Sequence, residues 1–139
     1  MATSSIEPWK FRFVGTLGHG HPGNVREAGL TTPDAVTVQR RLAEARDEGA
    51  STLGLEVSSH ALDQDRVAGV SFDTAVFTNL TRDHLDYHGT LEAYGAAKTR
   101  LFHAPGLRCA VINVRDPFGR DLVERLDPAL EKIVYTTAN

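Results

Sequence analysis

Three short apolar runs, residues 51–57 (STLGLEV), 73–78 (DTAVFT) and 109–114 (CAVINV), alternate with segments of helical pattern. That alternation restricts the fold more than any other feature. Buried-type strands joined through helices require crossover connections, so the sequence predicts an α/β fold with a mostly parallel sheet and helices on both faces. Two further strands are expected at 10–17 (KFRFVGTL) and 132–136. Thr31-Thr32-Pro33-Asp34 reads as a helix start, with Thr32 as N-cap and Pro33 in the first turn. Ala35, Val38, Leu42 and Ala45 recur at helical spacing behind it, up to Gly49. A short helix is expected after Ser58-Ser59, one capped by Thr90 through about residue 102, and one over 117–126. Residues 1–10, polar and serine-rich, read as a frayed end.

Polar residues gather directly behind two of these runs. Glu56, Ser58, Ser59, His60, Gln64 and Arg66 follow the first; Arg82, Asp83, His84, Asp86 and His88 follow the second. In a parallel sheet, ligands collect at the C-terminal ends of strands. Glu56, at the end of an otherwise apolar run, is either neutralised by a nearby helix start or used as a metal ligand or base. Asp83, His84, Asp86 and His88 form a carboxylate-rich set that suits Mg²⁺ or Mn²⁺ better than zinc. Within it, Asp86 and His88 read as loop-capping residues and His84 as functional. Lys98 lies among small neighbours (Ala96-Ala97-Lys98), where desolvation favours the neutral amine; a helix-surface lysine is the plain alternative. Arg66 could bind an anion in bidentate fashion or form a surface ion pair. Gly15, Gly18, Gly20 and Gly23 match neither the dinucleotide fingerprint nor a Walker loop, and read as a hairpin or loop rather than a phosphate cradle.

Composition excludes other classes. With 139 residues the chain suits one domain, and 41% hydrophobic with 24% charged residues is a globular balance. A net charge of −3 without a basic run gives no case for nucleic acid. The one cysteine, Cys109, reads as a buried small hydrophobe. No apolar run reaches the roughly 18 residues needed to span a bilayer. No signal-peptide core is visible, and the expectation is a cytoplasmic protein with no membrane insertion.

Four separated motifs in order, TTPD (31–34), EVSSHALDQDRV (56–67), FTNLTRDHLDYHGT (77–90) and AAKTRLF (96–102), closely resemble the central domain of the Mur ligases. The resemblance covers about residues 14–126. TTPD with EVSSHAL is most similar to the branch that adds a diamino acid, meso-diaminopimelate or L-lysine, to UDP-MurNAc-L-Ala-D-Glu. It implies an ATP-dependent, amide-bond-forming ligase of peptidoglycan synthesis that works through an acyl phosphate, with ATP and Mg²⁺ as cofactors. It also implies Glu56 and His84 as Mg²⁺ ligands, with His84 counted among the catalytic residues. Lys98 would be a catalytic lysine carbamylated by CO₂ that completes the metal site. Thr31, Thr32, Ser58, Gln64 and Arg66 would contact the UDP-MurNAc-dipeptide, and Asn113 would lie near the nucleotide. Arg115 departs from the family pattern, which has an acid there.

Mur ligases hold ATP phosphates on a loop ending Gly-Lys-Thr, and no Gly-Lys pair occurs in these 139 residues. The expectation is therefore a single partial central domain over 1–139. The phosphate loop and the family's N- and C-terminal domains would be absent and the chain alone inactive, with a sheet edge open to self-association. Two alternatives of other classes are a non-catalytic substrate-binding module and a small metal-dependent hydrolase using Glu56, Asp83 and His84.

Overall fold

The computed structural model of the chain describes Glu7 and residues 10–27, 29–81 and 85–137. They divide into two compact units, Met1–Val70 and Ser71–Asn139.

In the first unit, β1 (Phe11–Gly15), β2 (Gly18–His21), β3 (Asn24–Arg26) and β4 (Thr52–Leu55) form a sheet of order β3-β2-β1-β4. β1 and β4 are parallel, with Phe13 opposite Gly54 and Val14 opposite Leu55. The pairs β1–β2 and β2–β3 are antiparallel. This sheet is thus mixed, because two short turns reverse the chain before any helix can intervene. Gly20 shows why the glycine-rich stretch becomes a hairpin. Its φ is +139°, and a Cβ there would overlap the Asn24 carbonyl.

Helix α1 runs Ala35–Asp47 and the short α2 runs Ser59–Asp63. The cap of α1 is a correction to the expected Thr32. Asp34 is the N-cap, its carboxylate accepting from the Thr37 N–H at 3.0 Å and the Thr37 hydroxyl at 2.7 Å. A carboxylate beside the free N–H groups of the first turn outcompetes a hydroxyl two residues further out. Among the described residues, Val14, Val38, Ala45, Ala61, Leu62 and Val67 are the buried apolar ones of this unit.

The second unit is built on β5 (Thr74–Phe77), β6 (Cys109–Asn113) and β7 (Glu131–Tyr135), all parallel in the order β5-β6-β7. Helices α3 (Leu85–His88), α4 (Leu91–Thr99) and α5 (Pro117–Arg125) and a 3₁₀ turn, Arg100–His103, complete it. Residues 85–88, expected as loop, form a helical turn. Thr90 caps α4 as its sequence predicts, accepting from the Ala93 N–H. Asp116, in front of Pro117, caps α5. Ala75, Phe77, Phe102, Ala110, Ile112, Leu122 and Leu126 form one buried cluster. Cys109 is half-buried rather than buried, and Val76, Ile133 and Val134 are about half exposed. The architecture is mixed α/β as the alternation requires, but in two sheets of different character.

Candidate functional site

The C-terminal ends of β1 and β4 emerge side by side, and most of the polar residues singled out in the sequence converge there. The Glu56 N–H donates to the Val14 carbonyl at 2.9 Å, extending the β1–β4 ladder by one bond and fixing where the Glu56 side chain leaves the sheet. Its Oε2 accepts from the Thr16 N–H at 2.6 Å and the Thr16 hydroxyl at 2.7 Å. A Cβ at position 15 would lie 2.7 Å from the Glu56 carboxylate, so a larger residue there would make the Glu56 side chain shift. The Thr16 hydroxyl also lies 3.0 Å from that of Thr31.

Thr32 is fully buried, and its hydroxyl bridges the turn after β4. It donates to the Glu56 carbonyl at 2.8 Å and accepts from the Ser58 N–H at 3.0 Å. Fully buried, the Thr32 side chain shapes the loop that carries its neighbours. Ser58 caps α2, its Oγ accepting from the Ala61 N–H at 3.1 Å. The Ser58 hydroxyl also lies 3.5 Å from that of Thr32.

Gln64 and Arg66 flank Asp65, which stands at φ +53°. A left-handed non-glycine residue costs free energy, and here it joins two residues whose side chains close on each other. Gln64 Oε1 accepts from Arg66 Nε at 2.9 Å and Nη2 at 2.6 Å, and Arg66 Nη1 donates to the Thr32 carbonyl at 2.9 Å. Among the described residues Arg66 therefore forms no carboxylate ion pair of the kind weighed from sequence. It is braced by neutral acceptors, which keeps its charge uncompensated and its guanidinium fixed. Three of its five N–H donors are engaged, and two remain.

Glu56, Thr31, Ser58, Gln64 and Arg66 thus belong to one connected network around Thr32. Sequence reasoning missed Thr16. A threonine in a hairpin turn carries no motif, and only the parallel pairing of β1 with β4 brings it to Glu56. Two hollows of about 290 Å³ and 260 Å³ lie elsewhere in this unit, around Arg12, His19 and Arg41. Neither is lined by Glu56, Thr31, Ser58 or Arg66.

The remaining candidates belong to the second unit. His84, with Arg82 and Asp83, lies outside the described residues. Lys98 is partly buried on α4, and burial pushes its amine below the ordinary value of 10.5. Its Nζ lies 5.1 Å from the centre of the Tyr94 ring, which in turn stacks on His88 at 5.3 Å. A ring face favours the cation, while desolvation, the dominant effect here, favours the neutral amine. Asn113 is buried, and its side chain is used at both ends. Nδ2 donates to the Thr78 carbonyl at 2.8 Å, and Oδ1 accepts from the Arg115 N–H at 3.0 Å. It fastens the end of β5 to that of β6 and keeps one further N–H donor and one further oxygen lone pair. Asp116, also unremarked in the sequence, holds the neighbouring loop by accepting from the Leu80 N–H at 2.7 Å. Among the described residues no cluster of three or more His, Cys, Asp or Glu could hold a metal ion.

Comparison with known proteins adds an independent line. Residues 2–139 match the Mur ligase middle domain. The chain is 57% identical over 125 residues to the UDP-N-acetylmuramoyl-L-alanyl-D-glutamate--2,6-diaminopimelate ligase of Chromobacterium violaceum, covering 90% of this chain and 25% of that protein. It is 59% identical over 112 residues to the same-named ligase of Ectopseudomonas mendocina, covering 81% of the chain and 23% of that protein. A solved structure of a ligase of this name superposes with a TM-score of 0.81 at 38% identity, covering 93% of this chain and 26% of that one. The chain thus spans about a quarter of the length of the curated relatives it matches.

Proposed function

Since the chain belongs to the Mur ligase family, whose middle domain it matches over residues 2–139, we propose that it is part of an ATP-dependent amide-bond-forming ligase. The reaction would join 2,6-diaminopimelate, in our reading its meso form and in the cytoplasm, to UDP-MurNAc-L-Ala-D-Glu; the names of its relatives give the two substrates for those proteins. What supports the reading most is one observation. Thr31, Ser58, Gln64, Arg66 and Glu56 form a single hydrogen-bonded edge at the ends of two parallel strands.

The chemistry available there suits an acidic, hydroxyl-rich ligand. Arg66 presents two remaining donors and a fixed positive charge to a carboxylate or phosphate of the muramoyl dipeptide. Braced groups of this kind lose little freedom on binding, which lets them orient the ligand's terminal carboxylate for reaction. Glu56 fits a magnesium ligand. Oε2 is held by Thr16 while Oε1 has no hydrogen-bond partner among the described residues, and Mg²⁺ favours oxygen donors. His84 and a carbamylated Lys98 are proposed as magnesium ligands in their own right; when bound, the metal would neutralise phosphate oxygens. The depressed amine of Lys98 suits it to CO₂ addition, in which the neutral nitrogen bonds to carbon and releases a proton.

Calorimetry with UDP-MurNAc-L-Ala-D-Glu tests the reading. Saturable binding is expected, weakened at least tenfold in Arg66→Ala; no binding by the unaltered chain would overturn it. No Gly-Lys pair occurs in the 139 residues, so the isolated chain is expected to form no tripeptide from ATP, and measurable turnover would refute that.

A further inference from the structure

We propose that Thr16 is a positioning residue that sets the hydrogen-bond polarity of the edge, so that Thr31 meets its ligand as an acceptor only and takes a hydroxyl or amide N–H of that ligand. This deepens the substrate reading above and rests on it for the identity of the ligand, though not for the polarity itself. The argument is one of proton counting. A threonine hydroxyl has one proton and two lone pairs, whereas a carboxylate oxygen has none to give. Thr16 Oγ1 lies 2.7 Å from Glu56 Oε2, so the Thr16 proton must lie on that line. The 3.0 Å contact between the Thr16 and Thr31 hydroxyls then has only one consistent direction: Thr31 donates and Thr16 accepts. With its single proton spent, Thr31 presents lone pairs outward.

The orientation is imposed from the sheet upward. The Thr16 N–H, at 2.6 Å from the same carboxylate oxygen, anchors the turn independently of the hydroxyl, and Gly15 leaves the room that the carboxylate needs. Thr31 therefore takes a hydroxyl or amide N–H of the ligand, whereas a bare phosphate or carboxylate, which has only acceptors, is disfavoured there and fits the Arg66 end.

The test separates polarity from ligand identity. Three-bond carbon couplings of the Thr31 methyl group, measured by NMR on the ligand-free chain, report whether its side chain holds one rotamer. A single rotamer is expected in the unaltered chain and in Thr16→Ser, and averaging in Thr16→Val, which keeps the turn's N–H but loses the hydroxyl. Binding of UDP-MurNAc-L-Ala-D-Glu should weaken about three- to tenfold in Thr16→Val and stay within about twofold in Thr16→Ser. Thr16→Val combined with Thr31→Val should bind no more weakly than Thr31→Val alone. A fixed Thr31 rotamer in Thr16→Val, or strictly additive losses in the double variant, would overturn the proposal. A rotamer that responds as expected in a chain that does not bind the dipeptide would sustain the polarity and sink the substrate reading instead.

Discussion

The two units are held together by different kinds of interaction. The second has a continuous apolar cluster running from Ala75 on β5 through Ile112 on β6 to Leu122 and Leu126, with Phe77 and Phe102 supplying bulk. The first buries smaller residues, chiefly valine and alanine. Its strand ends are tied by hydroxyls, a carboxylate and a guanidinium through Thr16, Thr32, Glu56, Ser58 and Arg66. Burial of apolar area is non-directional and tolerant, whereas hydrogen-bond networks demand geometry and lose much when one member is removed. The difference suggests a division of labour: one unit supplies mass and stiffness, the other fixes polar groups at a working edge.

That contrast can be broken by mutation. Ile112→Ala, at a fully buried position of the apolar cluster, is expected to cost about 3–4 kcal/mol of unfolding free energy, read from urea titration. A loss below about 1 kcal/mol would mean that the cluster does not dominate its unit. Thr32→Val keeps the shape but leaves the Ser58 N–H and the Glu56 carbonyl without their partner. About 1–3 kcal/mol should be lost, with weaker UDP-MurNAc-dipeptide binding, because the loop carrying Ser58 and Arg66 loosens. Stability lost without any change in binding would separate the network from the ligand.

A smaller, pH-dependent effect is expected at Asp34. Hydrogen bonds from the Thr37 hydroxyl and N–H hold its carboxyl below the ordinary 3.8. The folded value is the lower one, so the contribution is complete above 3.8 and is lost as pH falls through the folded value. Far-UV circular dichroism should show helix lost in acid, with a shallower dependence in Asp34→Asn. An unchanged profile would argue against the cap. The smallest effect on stability is expected at Lys98, where Lys98→Gln should unfold almost as the unaltered chain does. A carbamate signal in ¹³CO₂-equilibrated protein should nevertheless disappear with that change. It should form at lower pH than on an ordinary lysine, because burial depresses the amine. No carbamate on the unaltered chain at any pH would remove Lys98 from the metal proposal.

Much of the fold was legible because buried strands and capped helices leave local marks. The runs at 73–78 and 109–114 became β5 and β6 nearly to the residue, and Thr90 capped α4 where its hydroxyl was expected. Thr32 misled because Thr-Pro resembles a helix entry, yet Asp34 offered a charged acceptor closer to the first free N–H groups. The antiparallel hairpin was half legible. Its glycines announced a turn, but strand pairing is a long-range event that glycine spacing does not encode.

What the sequence determined by itself was the set of elements, the family motifs and the list of polar residues that could work together. It could do so because apolar periodicity, caps and motif spacing act over a few neighbouring residues. What only the tertiary structure decided was which of those residues touch and what each has left to offer. Thr16 reaches Glu56 across 40 positions of sequence, Thr32 is buried, and Arg66 is braced by Gln64 rather than by a carboxylate. Those outcomes depend on the parallel register of β1 with β4 and on how each hydroxyl proton is shared. Both are set by contacts between distant segments, which no local pattern records.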